Sequence, residues 1–105
     1  MQTFEEIAML SKAMSDTNRV KIVTLIQRDT KVCVCEICDT LALSQPLVSR
    51  HLKQLKESGI LHSSKEGKWI MYEIVTSPTS LMKAYLIECK KIEKSLTNLV
   101  SCMVR

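Results

Sequence analysis

Two glycines are all that the chain contains, and neither lies in a phosphate-cradling loop. No HExxH segment and no nucleophile beside a base can be found, so an enzyme is not expected. No stretch approaches the ~20 apolar residues that a bilayer span requires. The start of the chain carries Glu5 and Glu6 inside a short helical pattern, where a secretory leader would have a basic end and an apolar core. The expectation is a cytoplasmic protein without a membrane partner. Repeats, low-complexity tracts and linkers are also missing, which points to a single domain over residues 1–105. No cysteine precedes Cys33, and no histidine follows His62.

What is present suits a folded chain with a charged partner. Forty-six per cent of the 105 residues are apolar, enough for one compact core. A domain of this size buries only about two-thirds of its unfolded surface, so a second subunit would add to its stability. Fifteen Lys and Arg against eleven Asp and Glu give a net charge of +4, and Arg50, His51, Lys53, Lys56, Lys65 and Lys68 concentrate basic groups in the middle third. That distribution favours a polyanion. Three of the five cysteines fall within Cys33-Val34-Cys35-Glu36-Ile37-Cys38. In a reducing compartment such thiols are ligands or free groups rather than disulfides, and their density suits a soft, thiophilic ion.

Periodicity predicts the elements. Phe4, Ile7, Leu10 and Met14 make an amphipathic helix over 3–14. Asp16 caps a second helix that buries Val20, Ile22, Val23, Leu25 and Ile26 and ends near Gln27. A third helix runs from about Val34 to Leu41, and Ala42-Leu43 makes a tight connection. Ser44 then caps a fourth helix with Pro46 in its first turn, and Gly59 ends it. Ile60–Ser64 and Trp69–Val75 are strands of a hairpin with a basic tip. A last helix from about Thr79 to Cys102 carries Leu81, Tyr85, Cys89, Ile92, Leu96, Leu99 and Met103. At ~1.5 Å per residue it outruns a small core, so its stripe is expected to pair with a second copy. The fold class is mainly α with a small β-hairpin, in the order α-α-α-α-β-β-α.

On the fourth helix, Val48, Leu52 and Leu55 face inward, and Arg50 and Lys53 project from the other side with Ser49 and Gln54 beside them. Such a face suits the major groove, where Arg pairs with guanine and Gln with adenine. Lys65 and Lys68 follow at the tip of a wing able to touch phosphates. The expected DNA contacts are Ser44, Gln45, Ser49, Arg50, His51, Lys53, Lys65 and Lys68.

Ser44-Gln45-Pro46-Leu47-Val48-Ser49-Arg50-His51-Leu52, Glu57-Ser58-Gly59-Ile60-Leu61, Gly67-Lys68-Trp69 and the upstream Ser15-Asp16-Thr17-Asn18-Arg19-Val20-Lys21-Ile22 together resemble the winged-helix metalloregulators of the ArsR/SmtB family. The likeness covers roughly residues 5 to 100. It implies a homodimer that sits on a palindromic operator in double-stranded DNA and is released by an inducer. Phe4, Ile7, Leu81, Tyr85, Cys89, Ile92, Leu96 and Leu99 are the candidate dimer contacts. The cysteine segment is similar to the CVCDLC motif of arsenic-responsive repressors, with Glu36 and Ile37 in place of Asp and Leu. The resemblance therefore implies trivalent arsenic or antimony as inducer, held by Cys33, Cys35 and Cys38. Zinc-responsive relatives use Asp and His pairs on the last helix, and cadmium- and lead-responsive ones add cysteines from an N-terminal extension. Neither pattern is present.

Geometry adds a reading of mechanism. At ~100° per residue Cys35 and Cys38 lie about 60° apart, but a helical Cys33 would sit some 140° from Cys38. Either Cys33 precedes the helix, or the first turn unwinds when the ion binds. Proximity to a helix N-terminus and to Lys31 predicts lowered thiol pKa values. Two other readings are a thiol redox switch on the same fold, in which Cys33 pairs with Cys35 or Cys38, and a zinc-stabilised interaction module.

Overall fold

The computed structural model describes residues 3–101; Cys102 and Met103 of the expected last helix lie outside the described residues. Helix α1 spans Phe4–Ala13, α2 Thr17–Asp29, α3 Val34–Leu41, α4 Gln45–Glu57 and α5 Ser80–Ile92. The strands are β1 (Val32–Cys33), β2 (Leu61–Glu66) and β3 (Trp69–Ile74), in the sheet order β1-β3-β2, all antiparallel.

Hydroxyls and carboxylates at the helix starts explain where the helices begin. Thr3, Asp16, Ser44 and Thr79 each accept a hydrogen bond from the backbone N–H three residues on, satisfying donors that the first turn leaves open. Helix α2 is the centre of the core: Ile22, Val23, Leu25 and Ile26 are fully buried, packed with Leu10, Ile37, Val48, Leu52, Leu55 and Ile60. It runs two residues beyond the expected end near Gln27, because Gln27 Nε2 donates to Leu86 O at 3.0 Å and keeps the last turn docked on α5. Glu66 pairs with Trp69, leaving Gly67 and Lys68 as a two-residue hairpin loop in which Gly67 takes φ +64°.

Two features depart from the sequence reading. Strand β1 is only two residues long, too short to show periodicity, yet it pairs Val32 with Tyr72 and Cys33 with Met71 and ties the cysteine segment to the hairpin. The last helix stops at Ile92, is followed by a 3-10 turn over Glu93–Ser95, and becomes extended at Leu96 instead of continuing to Cys102. Ser95, Thr97 and Asn98 are weak helix formers, and turning back lets Leu96 and Leu99 pack on the protein's own core. Arg28 Nη1 donates to Leu96 O, Thr97 Oγ1 donates to Thr40 O at 3.3 Å, and Val100 N donates to Thr40 Oγ1 at 2.9 Å. The tail is thereby strapped to the last turn of α3.

Candidate functional site

Helix α4 presents a solvent face built from Ser44, Gln45, Ser49, Arg50 and Lys53, all exposed, over a buried face of Val48, Leu52 and Leu55. Lys65 and Lys68 are exposed at the hairpin tip, with Lys68 Nζ 5.2 Å from the centre of the Trp69 ring. Lys56 Nζ donates to Ser63 Oγ at 2.8 Å, and Lys31 pairs with Glu66 at 2.9 Å, so the wing is tied both to α4 and to the segment before β1. The reader face and basic tip thus belong to one surface.

His51 does not join them. It is 7 % exposed, with Nδ1 3.2 Å from Arg19 Nη1, and it faces the body rather than DNA. The spacing carried this signal: His51 lies three residues after Val48 and four before Leu55, on the inward stripe. Burial holds its pKa below the ordinary imidazole value, the nearby Asp16 carboxylate opposing and Arg19 and Arg50 reinforcing the shift. Arg19 was absent from the candidate residues, although its spacing to Ile22, Val23 and Ile26 also places it inward.

The cysteine segment lies directly before the reader. Cys33 is the N-cap of α3 in extended conformation, so of the two geometries left open by the sequence it is the one in which Cys33 precedes the helix. Its backbone N–H donates to Glu36 Oε1 at 3.1 Å. Glu36 is fully buried, and the 33/36/37/40 spacing, which places it on the buried side with Ile37 and Thr40, could have shown it. Cys33, Val34, Cys35, Cys38, Asp39, Gln45, Trp69 and Ile70 line one cavity of about 500 Å³. Trp69, the first residue of β3, is therefore also a wall of this cavity.

The thiols are not activated in the way their position suggested. Burial pushes both Cys33 and Cys38 above the ordinary thiol value; the Glu36 carboxylate adds to the effect at Cys33 and Asp39 at Cys38. Desolvation outweighs the helix N-terminus, and the Lys31 ammonium is engaged with Glu66 instead. Cys33 and Cys38 are free thiols, and the Cys35 Sγ lies 3.7 Å from Asp39 Oδ2. Among the described residues no three His, Cys, Asp or Glu side chains are grouped closely enough to hold a metal ion. The donor set fits a thiophilic ion in kind, although the sulfurs are not grouped as ligands in this arrangement.

The residues expected at a dimer interface divide. Phe4 is 90 % exposed, and Ile7 and Ile92 are also open to solvent. Cys89 is buried in the protein's own core, and Leu81, Tyr85, Leu96 and Leu99 pack partly against it.

A helical core carrying a helix-turn-helix and a three-stranded wing defines a winged-helix transcription regulator. Residues 16–63 match the family model described as bacterial regulatory protein, arsR family. The chain is 36 % identical over 95 residues to the arsenical resistance operon repressor of Escherichia coli, covering 86 % of this chain and 81 % of that one. It is 44 % identical over 63 residues to the arsenic resistance transcriptional regulator ArsR1 of Pseudomonas putida, a match covering 60 % of this chain and about half (49 %) of that relative's length. Among solved structures, HlyU from Vibrio cholerae superposes with a TM-score of 0.70 at 26 % identity, over 84 % of this chain and 91 % of that one. The chain belongs to the arsR family of bacterial regulatory proteins. It is a regulator of transcription with a DNA-binding fold, not an enzyme.

Proposed function

We propose that this protein is a cytoplasmic repressor that binds operator DNA as a homodimer and lets go when trivalent arsenic or antimony binds Cys33, Cys35 and Cys38. The observation that carries this reading is the shared cavity, in which the three cysteines and Gln45, the first residue of the reader helix, form parts of one wall. The relatives named for arsenic resistance support the choice of ion. Ser44, Gln45, Ser49, Arg50 and Lys53 read or grip the duplex, and Lys65 and Lys68 contact phosphates. Phe4, Ile7 and Ile92 offer apolar surface to the second copy.

The coupling runs through the main chain. Cys38 O accepts from the backbone N–H groups of Ala42 and of Leu43, the latter at 3.1 Å, and Ala42 sits at φ +56° in the turn that delivers Ser44. Three-thiol binding pulls Cys33 out of its bond to Glu36 and its pairing with β3, or unwinds the first turn of α3. Either change is felt at Cys38 and thus at the start of α4. Inducer binding energy is used to shift the population away from the DNA-competent arrangement.

A redox switch is the second reading, favoured by the free Cys33 and Cys38 thiols that line the same cavity. Cys33 and either Cys35 or Cys38 give two electrons and two protons to hydrogen peroxide, forming one S–S bond and two waters, which removes both sulfurs from the ligand set. One experiment separates the readings. A labelled duplex selected by the protein from a random pool, held under a phosphine reductant, is titrated with arsenite, antimonite, zinc and cadmium, and separately with peroxide after the reductant is removed. Release by arsenite and antimonite supports the first reading; release by peroxide alone replaces it with the second.

A further inference from the structure

The cluster beneath the reader helix assigns a role to two residues buried away from its solvent face. We propose that Arg19 and neutral His51 form a lock that positions α4 for DNA binding, so that protonation of His51 releases DNA without any inducer. This rests on the DNA-binding reading above and extends it to a second input.

Arg19 is buried and fastens three elements at one point. Its Nε donates to Ala13 O at 2.7 Å and its Nη2 to Lys12 O at 3.2 Å, both at the end of α1, while its own backbone N–H is capped by Asp16 Oδ1. The remaining arm, Nη1, meets His51 Nδ1 of α4 at 3.2 Å. A guanidinium only donates, so Nδ1 is the acceptor and the ring proton sits on Nε2. That nitrogen is buried without a hydrogen-bond partner and lies 4.0 Å from Asp16 Oδ1. The charged groups facing the ring are Asp16 and Arg19 from the start of α2 and Arg50 on its own helix; α1 contributes only the two carbonyls that hold Arg19.

A second ring proton has to enter at Nδ1. It would put two donors and two cations 3.2 Å apart, and Asp16 compensates poorly because it is longer-range and already caps α2. The low-energy escape is separation of His51 from Arg19, which moves α4 relative to α1 and α2. Arg50, the next residue, moves with it.

The test compares wild type with His51→Asn, whose amide oxygen can replace Nδ1 as acceptor but does not titrate. Binding to a duplex selected by wild type from a random pool at pH 7.5 is followed by fluorescence anisotropy from pH 7.5 to 5.5 at constant ionic strength. Circular dichroism confirms folding at each point. Both proteins bind at pH 7.5, and wild type then loses more affinity than the variant by pH 5.5, by up to about tenfold for each His51, since each proton refused by the bound state costs up to about tenfold per pH unit below the free protein's pKa. His62 pairs with Glu73 on the hairpin, away from the substituted position, and is common to both proteins. Parallel profiles would overturn the lock. Should the variant fail to fold, the His51 ring resonances of wild type decide: a lock makes added duplex lower the His51 pKa, whereas a polyanion acting on an unlocked histidine raises it or leaves it unchanged. Selecting no duplex at pH 7.5 would overturn the DNA-binding reading, and the lock with it.

Discussion

Helices α3 and α4 are joined by three residues, Ala42 to Ser44, and they treat their chemistry in opposite ways. In α3 the reactive groups turn inward: Cys33 and Glu36 are buried, and the Cys33 and Cys38 thiols are held protonated. In α4 the polar groups turn outward, with Gln45, Ser49, Arg50 and Lys53 in solvent and only His51 folded under. A reader has to be formed before DNA arrives, because ordering it on contact would cost binding energy. A sensor that must report an event works the other way, since its resting state has to differ from its bound state. On the proposed function, the contrast is between a preformed surface and a site completed only by its ligand.

The comparison can be broken most severely from below. Leu52→Ala removes a fully buried side chain from under the reader and is expected to cost ~2–5 kcal/mol of stability in denaturant unfolding. A loss under 1 kcal/mol would mean that α4 is not seated on the core as described. Arg50→Ala leaves folding intact and weakens specific DNA binding by ~1–3 kcal/mol, whereas Lys68→Ala weakens all duplexes alike and lowers the salt slope by about one. Equal effects on selected and random duplexes for both variants would remove base reading from α4.

On the sensor side, the raised thiol values set the direction of a pH effect. Protonated thiols pass their protons to the three hydroxides of arsenous acid, which leave as water, so arsenite affinity stays flat across the neutral range, whereas cadmium has to displace the protons and gains up to about tenfold per pH unit for each one released. Arsenite affinity that falls as pH rises, read by isothermal titration, would show the thiols to be ionised at rest. The smallest expected effect is at the junction. Ser44→Ala deletes the Leu47 N–H cap at 3.4 Å and should cost ~1 kcal/mol or less, read as a shift in the melting temperature.

The two helices also differ in how much of their structure is legible in the sequence. Helix α4 was legible because its cap, its Pro46 and its apolar spacing all agree locally, and local agreement is what a sequence displays. The inward turn of the cysteine segment was not, because it depends on the pairing of Cys33 with Met71, almost forty residues away. Thiol activation was misjudged for the same reason: the helix N-terminus is visible in sequence, while the desolvation that outweighs it comes from packing. The α5 stripe was read as one long helix because Leu96 and Leu99 keep its period, yet their burial against the protein's own core won over helix continuation. His51 is the instructive error, since its spacing to Val48 and Leu55 argued for burial and its charge drew it to the DNA face.

If the thiol segment controls the reader, arsenite acts on DNA binding only through Cys33, Cys35 and Cys38. Reduced wild type and a triple Cys33→Ser, Cys35→Ser, Cys38→Ser variant are bound to the same selected duplex and titrated with arsenite. The account predicts that both bind DNA at the start with similar affinity and that arsenite dissociates only the wild type. Equal release from both proteins would place the sensor elsewhere in the chain and contradict it.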